Sequence, residues 1–114
     1  MNLLDTGIVI DIMETNNYVQ AIISSITLLE VLRGIEDKKR LHAKQLLEES
    51  FSVLNLDNSI IEAYCQIYRK LKNEGTLLPD ADLLIAATAI AHGLTLETKD
   101  VHFLRLKPLG LKLA

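Results

Sequence analysis

The chain has 114 residues, which suits a single domain spanning 1–114 and leaves no room for a second. Hydrophobic residues at 49% and charged residues at 24% exclude a disordered chain, and 4% aromatics without Trp require an aliphatic core. A net charge of -3 argues against simple electrostatic capture of nucleic acid, and the lone Cys65 excludes an internal disulfide, which points to a reducing, cytoplasmic setting.

Asn2 to Asp5 reads as a short first strand, and Met1 to Asp5 lacks the basic-then-apolar pattern of a signal peptide. Thr6 to Met13 reads as a helix ended by Asn16-Asn17, followed by a strand over Val19 to Ser24. Ser25 or Thr27 caps a helix to Arg33, stopped by Gly34. Ile35 to Ser50 is charged and amphipathic, with Leu41, Leu46 and Leu47 on one side, and Phe51 to Leu56 alternates as a strand.

Asp57 or Ser59 caps the next helix, which runs to about Lys72 and ends at Asn73-Glu74-Gly75. Its apolar stripe is Ile60, Ile61, Tyr64, Ile67, Tyr68 and Leu71. Cys65, with no base nearby, is expected in the core. Asp80 to His92 is apolar nearly all round, so this helix must be buried, and its alanines permit close packing on a sheet. Its apolar stretch, Leu83 to Ala91, is too short to span a membrane. Gly93 ends it. A strand over Leu94 to Thr98, a turn with a short helical piece over Lys99 to Leu106, and an edge strand over Leu109 to Leu113 complete the chain. Strands alternating with helices imply an α/β fold: a three-layer α/β/α sandwich with a mainly parallel central sheet.

Asp5, Glu30, Asp82 and Asp100 each sit where an apolar run meets a helix start or a turn. In an open α/β sheet such places share one rim, at the carboxyl ends of the strands. Acids gathered there repel one another, and a hard divalent cation with oxygen ligands relieves the repulsion. Each acid also has a plainer reading. Asp5 can be a helix N-cap, Asp100 a turn aspartate, and Glu30 the partner of Thr27 in a capping box, with Arg33 one helical turn on. One carboxylate satisfies a helix start, so Asp80 is expected to cap and Asp82 to ligate. Glu97, inside a strand, points to solvent or flanks the site.

Arg33, Lys99 and Arg105, together with Lys38-Lys39-Arg40, are candidates to grip a nucleic-acid backbone, although such short runs are commonly solvated helix faces. His42, His92 and His102 are scattered, and with one Cys no zinc set is available.

These stretches resemble the PIN domain, and in particular the VapC-type toxins of toxin–antitoxin pairs. The matching segments are Leu3-Leu4-Asp5-Thr6, Ser24 through Gly34, Asp82 through Ala89, and Leu96 through Phe103. The resemblance implies a PIN-like sandwich and a Mg²⁺- or Mn²⁺-dependent endoribonuclease site. It implies Asp5, Glu30, Asp82 and Asp100 as the catalytic acids, with Asp5, Asp82 and Asp100 on the metal and Thr6 and Thr98 in support. Asp5 and Asp100 are the expected direct ligands. It further implies an RNA substrate, a cognate antitoxin and a homodimer. The rival readings are a Mg²⁺-dependent phosphatase or phospho-acceptor domain and a non-catalytic interaction module of the same fold.

Overall fold

The structure is a computed structural model and describes residues 1–114. Five strands form one sheet: β1 (Leu3–Leu4), β2 (Ile22–Ser24), β3 (Ser52–Leu54), β4 (Thr95–Glu97) and β5 (Lys112–Leu113). Five α-helices accompany them: α1 (Thr6–Thr15), α2 (Ser25–Leu32), α3 (Asp37–Ser50), α4 (Asn58–Glu74) and α5 (Asp80–His92). A 3-10 helix spans Val101–Leu109.

The strand order is β3-β2-β1-β4-β5, and every pairing is parallel. β1 lies at the centre. The chain moves outward on one side through β2 and β3, and on the other through β4 and β5. The reversal of direction therefore falls between β1 and β4, which is where an open parallel sheet leaves a crevice beyond its strand ends.

The strands are short because cap chemistry takes over at their ends. β1 stops at Leu4 because Asp5 turns to cap α1, its carboxylate accepting from the Thr6 N–H. β2 begins at Ile22 and not at Val19, which is 55% exposed. β5 begins at Lys112 because Asp100 caps a nine-residue 3-10 helix, which runs through Leu109.

Alternation along the strands divides the core in two. Leu3 packs with the α4, α5 and 3-10 side, among Ile60, Leu83, Ala86 and Phe103. Leu4 points to the opposite face and packs with Val9, Leu28, Val31 and Leu47 of α1, α2 and α3. Helices thus cover both faces, giving the α/β/α sandwich. In α5, Leu83, Ile85, Ala86, Ala87 and Ala89 are fully buried. Gly75 and Gly93 end α4 and α5 in the left-handed region, at φ 71° and 64°, as their positions in the sequence suggest.

Several local expectations are corrected. The N-cap of α5 is Pro79, without a side-chain cap, and Asp80 instead accepts a hydrogen bond from the Tyr64 hydroxyl at 2.7 Å. No capping box forms at Thr27, because Ser24 caps α2 and Thr27 lies inside the helix, fully buried. In α3 only Leu47 is buried, and Leu41 is 68% exposed, so this helix is peripheral. Ile61 and Cys65 face outward on α4, whose buried side is Ile60, Ile67 and Leu71.

Candidate active site

A cleft of about 400 Å³ opens at the crevice, lined by Asp5, Thr6, Gly7, Glu30, Asp82, Lys99 and Asp100, with no hydrophobic side chain. All four acids singled out in the sequence reach it, from the β1–α1 junction, α2, α5 and the turn after β4.

Asp5 is the most enclosed, at 9% exposure. Its backbone N–H donates to the Glu97 carbonyl at 2.9 Å, locking β1 to β4. Its Oδ1 accepts from the Thr6 N–H at 2.8 Å, and its Oδ2 accepts from the Thr98 hydroxyl at 2.6 Å. Each oxygen keeps a further lone pair for a cation or a water. Thr98 also accepts from the Asp100 N–H at 3.0 Å, so one hydroxyl orients two acids. Asp100 in turn accepts from the His102 N–H at 2.9 Å, and its carboxylate lies 2.9 Å from His102 Nδ1.

Glu30 is held from two sides. Its Oε1 accepts from the Thr6 hydroxyl at 2.6 Å, and Arg33 Nη2 lies 3.6 Å from its Oε2. Thr6 has one proton, so its 3.2 Å contact with Thr27 has the buried Thr27 hydroxyl donating. Glu97 flanks the site without entering the lining: its carboxylate accepts from Asn2 Nδ2 at 3.0 Å.

Asp82 takes none of these hydrogen bonds. Burial pushes its carboxyl above the usual range, and the negative charges of Asp5, Asp100 and Glu30 push it further. The cleft is therefore a pocket of excess negative charge with hard oxygen donors, four carboxylates against Lys99 in its lining. No three of its acids converge tightly enough to enclose an ion unaided. The oxygen donors themselves suit a hard cation that uses one or two carboxylates and keeps several waters, as Mg²⁺ does.

Of the proposed basic groups, Lys99 lines the cleft and pairs with Asp11. Arg33 lies outside the lining, beside Glu30. Arg105 is turned elsewhere and donates to the Thr76 carbonyl at 3.4 Å. Arg40 folds over the α2–α3 joint onto Leu32, Ile35 and Asp37. The sequence reading gave Thr27 a capping role and His102 none, and did not single out Asp11. Asp11 carries a signal, as a lone acid between Ile10 and Ile12; Thr27 and His102 carry none outside the folded arrangement.

The PIN domain family model matches residues 3–108. The chain is 40% identical over 115 residues to "Ribonuclease VapC1" of Methanocaldococcus jannaschii, covering 97% of this chain and 85% of that protein. Its fold superposes on a chain of DNA-bound VapBC from Salmonella typhimurium with a TM-score of 0.85, at 26% identity, covering 100% of this chain and 98% of that one. A chain of a toxin–antitoxin complex from Klebsiella pneumoniae gives a TM-score of 0.71 at 26% identity, covering 90% of each. No helix is long and apolar enough to cross a membrane. With the family match spanning nearly all of the sheet and every acid of the cleft, this chain belongs to the PIN domain family.

Proposed function

We propose that the chain is a divalent-metal-dependent endoribonuclease, the toxin of a VapBC-type pair, hydrolysing RNA phosphodiester bonds in the acidic cleft. The observation that carries this reading is the meeting of Asp5, Glu30, Asp82 and Asp100 in one polar cleft at the strand ends. Its similarity to a protein named as a ribonuclease, and to a chain from a toxin–antitoxin complex, supports the substrate class and the antitoxin partner.

Asp5 and Asp100 would hold Mg²⁺ or Mn²⁺ directly, with Asp82 and Glu30 acting through bound waters. A divalent ion so held supplies Lewis acidity at a phosphoryl oxygen and makes a bound water a stronger nucleophile. The chain's own part is placement. Thr98 fixes Asp5 and Asp100 relative to each other, and the Thr27–Thr6 pair fixes Glu30. Asp82, whose carboxylate takes no hydrogen bond from the rest of the chain, is the acid free to accept a proton from the attacking water. Lys99 supplies the cleft's one cation for the RNA backbone.

The test is Asp5→Asn. Asn is as good an N-cap as Asp, so α1 keeps its start, and the bond that the Thr98 hydroxyl donates to Oδ2 is the one interaction the amide cannot replace. Metal-dependent RNA cleavage should be lost while the circular dichroism spectrum is unchanged. A variant as active as the parent would remove Asp5 from the mechanism.

A further inference from the structure

The cleft that would cut RNA is acidic with Lys99 its one cation, and the chain carries -3 overall, so a cationic surface beside the cleft would add to its hold on a polyanion. The flank of α4 where its half-buried stripe meets its exposed side has the required chemistry. Tyr64 and Tyr68, each partly buried against the core with one edge open, stack there with ring centroids 5.9 Å apart and planes 29° from parallel. Lys72 Nζ lies 5.8 Å from the Tyr68 ring centre, so that ring is reached by a cation from outside. A concavity of about 390 Å³ runs along this face, lined by Tyr64, Cys65, Tyr68, Arg69, Lys72 and Asn73. It holds two cations and no acid.

The face is tied to the cleft. The Tyr64 hydroxyl donates to Asp80 at 2.7 Å, and Asp80 shares the first turn of α5 with Asp82. Two residues along a helix are about 200° apart, so Asp80 and Asp82 point to opposite sides of α5. The tyrosine stripe therefore starts about one helix diameter, ~10 Å, from the cleft.

We infer that this face of α4, made by Tyr64, Tyr68, Arg69 and Lys72, binds the single-stranded RNA flanking the bond to be cut. Bases stack on the tyrosines while Arg69 and Lys72 take the phosphates, a combination that holds single strands without reading their sequence. This inference rests on the nuclease reading of the neighbouring cleft. A second copy of the chain is the less suitable occupant, because a two-fold interface meets the same patch of the other copy, and this lining offers no acid to pair with Arg69 and Lys72.

The test uses the full-length Asp5→Asn protein, which keeps RNA uncut, and the fluorescence anisotropy of a labelled single-stranded RNA across a range of salt. Arg69→Gln with Lys72→Gln should flatten the slope of log affinity against log salt by about 1.4, at ~0.7 for each phosphate no longer neutralised. Tyr68→Leu should weaken binding about tenfold, and Tyr68→Phe, which keeps the ring, should restore it. In the cleaving protein the same changes should raise KM for long RNA by more than they lower kcat. Both glutamine changes are at exposed positions, so their result does not depend on how well Tyr68→Leu folds. An unchanged affinity and salt slope in all variants would overturn the inference. So would light scattering showing that they split a dimer while RNA binding is untouched. Failure of the nuclease reading registers separately, as absence of cleavage by the parent chain, and the salt slope still decides the role of α4.

Discussion

Thr98→Val isolates the positioning of the acids from their identity. Valine matches threonine in shape but lacks the hydroxyl. The change removes the 2.6 Å bond to Asp5 Oδ2 and the acceptor of the 3.0 Å bond from the Asp100 N–H. A hydrogen bond to a charged acceptor contributes about 1.5–3 kcal/mol, and Thr98 is only partly buried, so a loss of about 2 kcal/mol in stability is expected. The functional effect should be larger than this suggests, because both released carboxylates face the proposed ion. Removing a group that orients metal-binding side chains costs about 10–100-fold in metal affinity or activity. The assay is RNA cleavage against Mn²⁺ concentration, with thermal melts alongside. Thr98→Val should shift the curve to ~10–100-fold higher metal, and Thr98→Ser, which restores the hydroxyl, should recover most of the loss. A Thr98→Val protein with the parent's metal dependence would refute the role of this hydroxyl.

Asp82→Asn should raise the melting temperature in chelator at neutral pH. The Asp82 carboxyl is raised when folded, so its relative contribution is complete below 3.8 and is lost as pH rises through the folded value. Adding Mg²⁺ to the parent should narrow the gap, and identical melts with and without Asp82 would contradict the charge-repulsion argument. Asp57 shows the opposite sign. The Ser59 hydroxyl, then the Ile60 N–H and His92, hold its carboxyl at about 2 against 3.8. Its contribution is complete above 3.8 and lost as pH falls through about 2, so Asp57→Asn should flatten the acid limb of denaturant melts in that window. Leu83→Ala, at a fully buried position on α5, should cost about 2–5 kcal/mol in chemical denaturation, and a cost near zero would contradict its placement in the core.

The four acids were legible in the sequence because each closes or follows a short apolar run, and a parallel sheet collects such places on one rim. The layers were legible too, since α5 is apolar on all sides and must lie under cover. What could not be read is what depends on strand order. The Thr98–Asp5 bond joins residues 93 apart and the Asn2–Glu97 bond residues 95 apart, and both exist only because β4 pairs with β1. Glu97 therefore had no interpretable role before that neighbour was known. Local rules failed where tertiary partners outbid them. Thr27 and Glu30 match a capping box, yet both turn to Thr6 of α1, and Ser24 caps the helix. Asp80 could cap α5, yet Tyr64 of α4 takes it. Cys65 has the character of a core residue, but the buried face of α4 is set by Ile60, Ile67 and Leu71, and Cys65 falls on the other side.

The most direct measurement is anomalous diffraction from crystals of the protein soaked in Mn²⁺. The expected result is a manganese peak in the cleft among Asp5, Asp82 and Asp100, lost in Asp5→Asn crystals. A saturating soak that leaves the cleft without a peak, or places manganese only elsewhere on the surface, would contradict the proposal that these acids form a metal site.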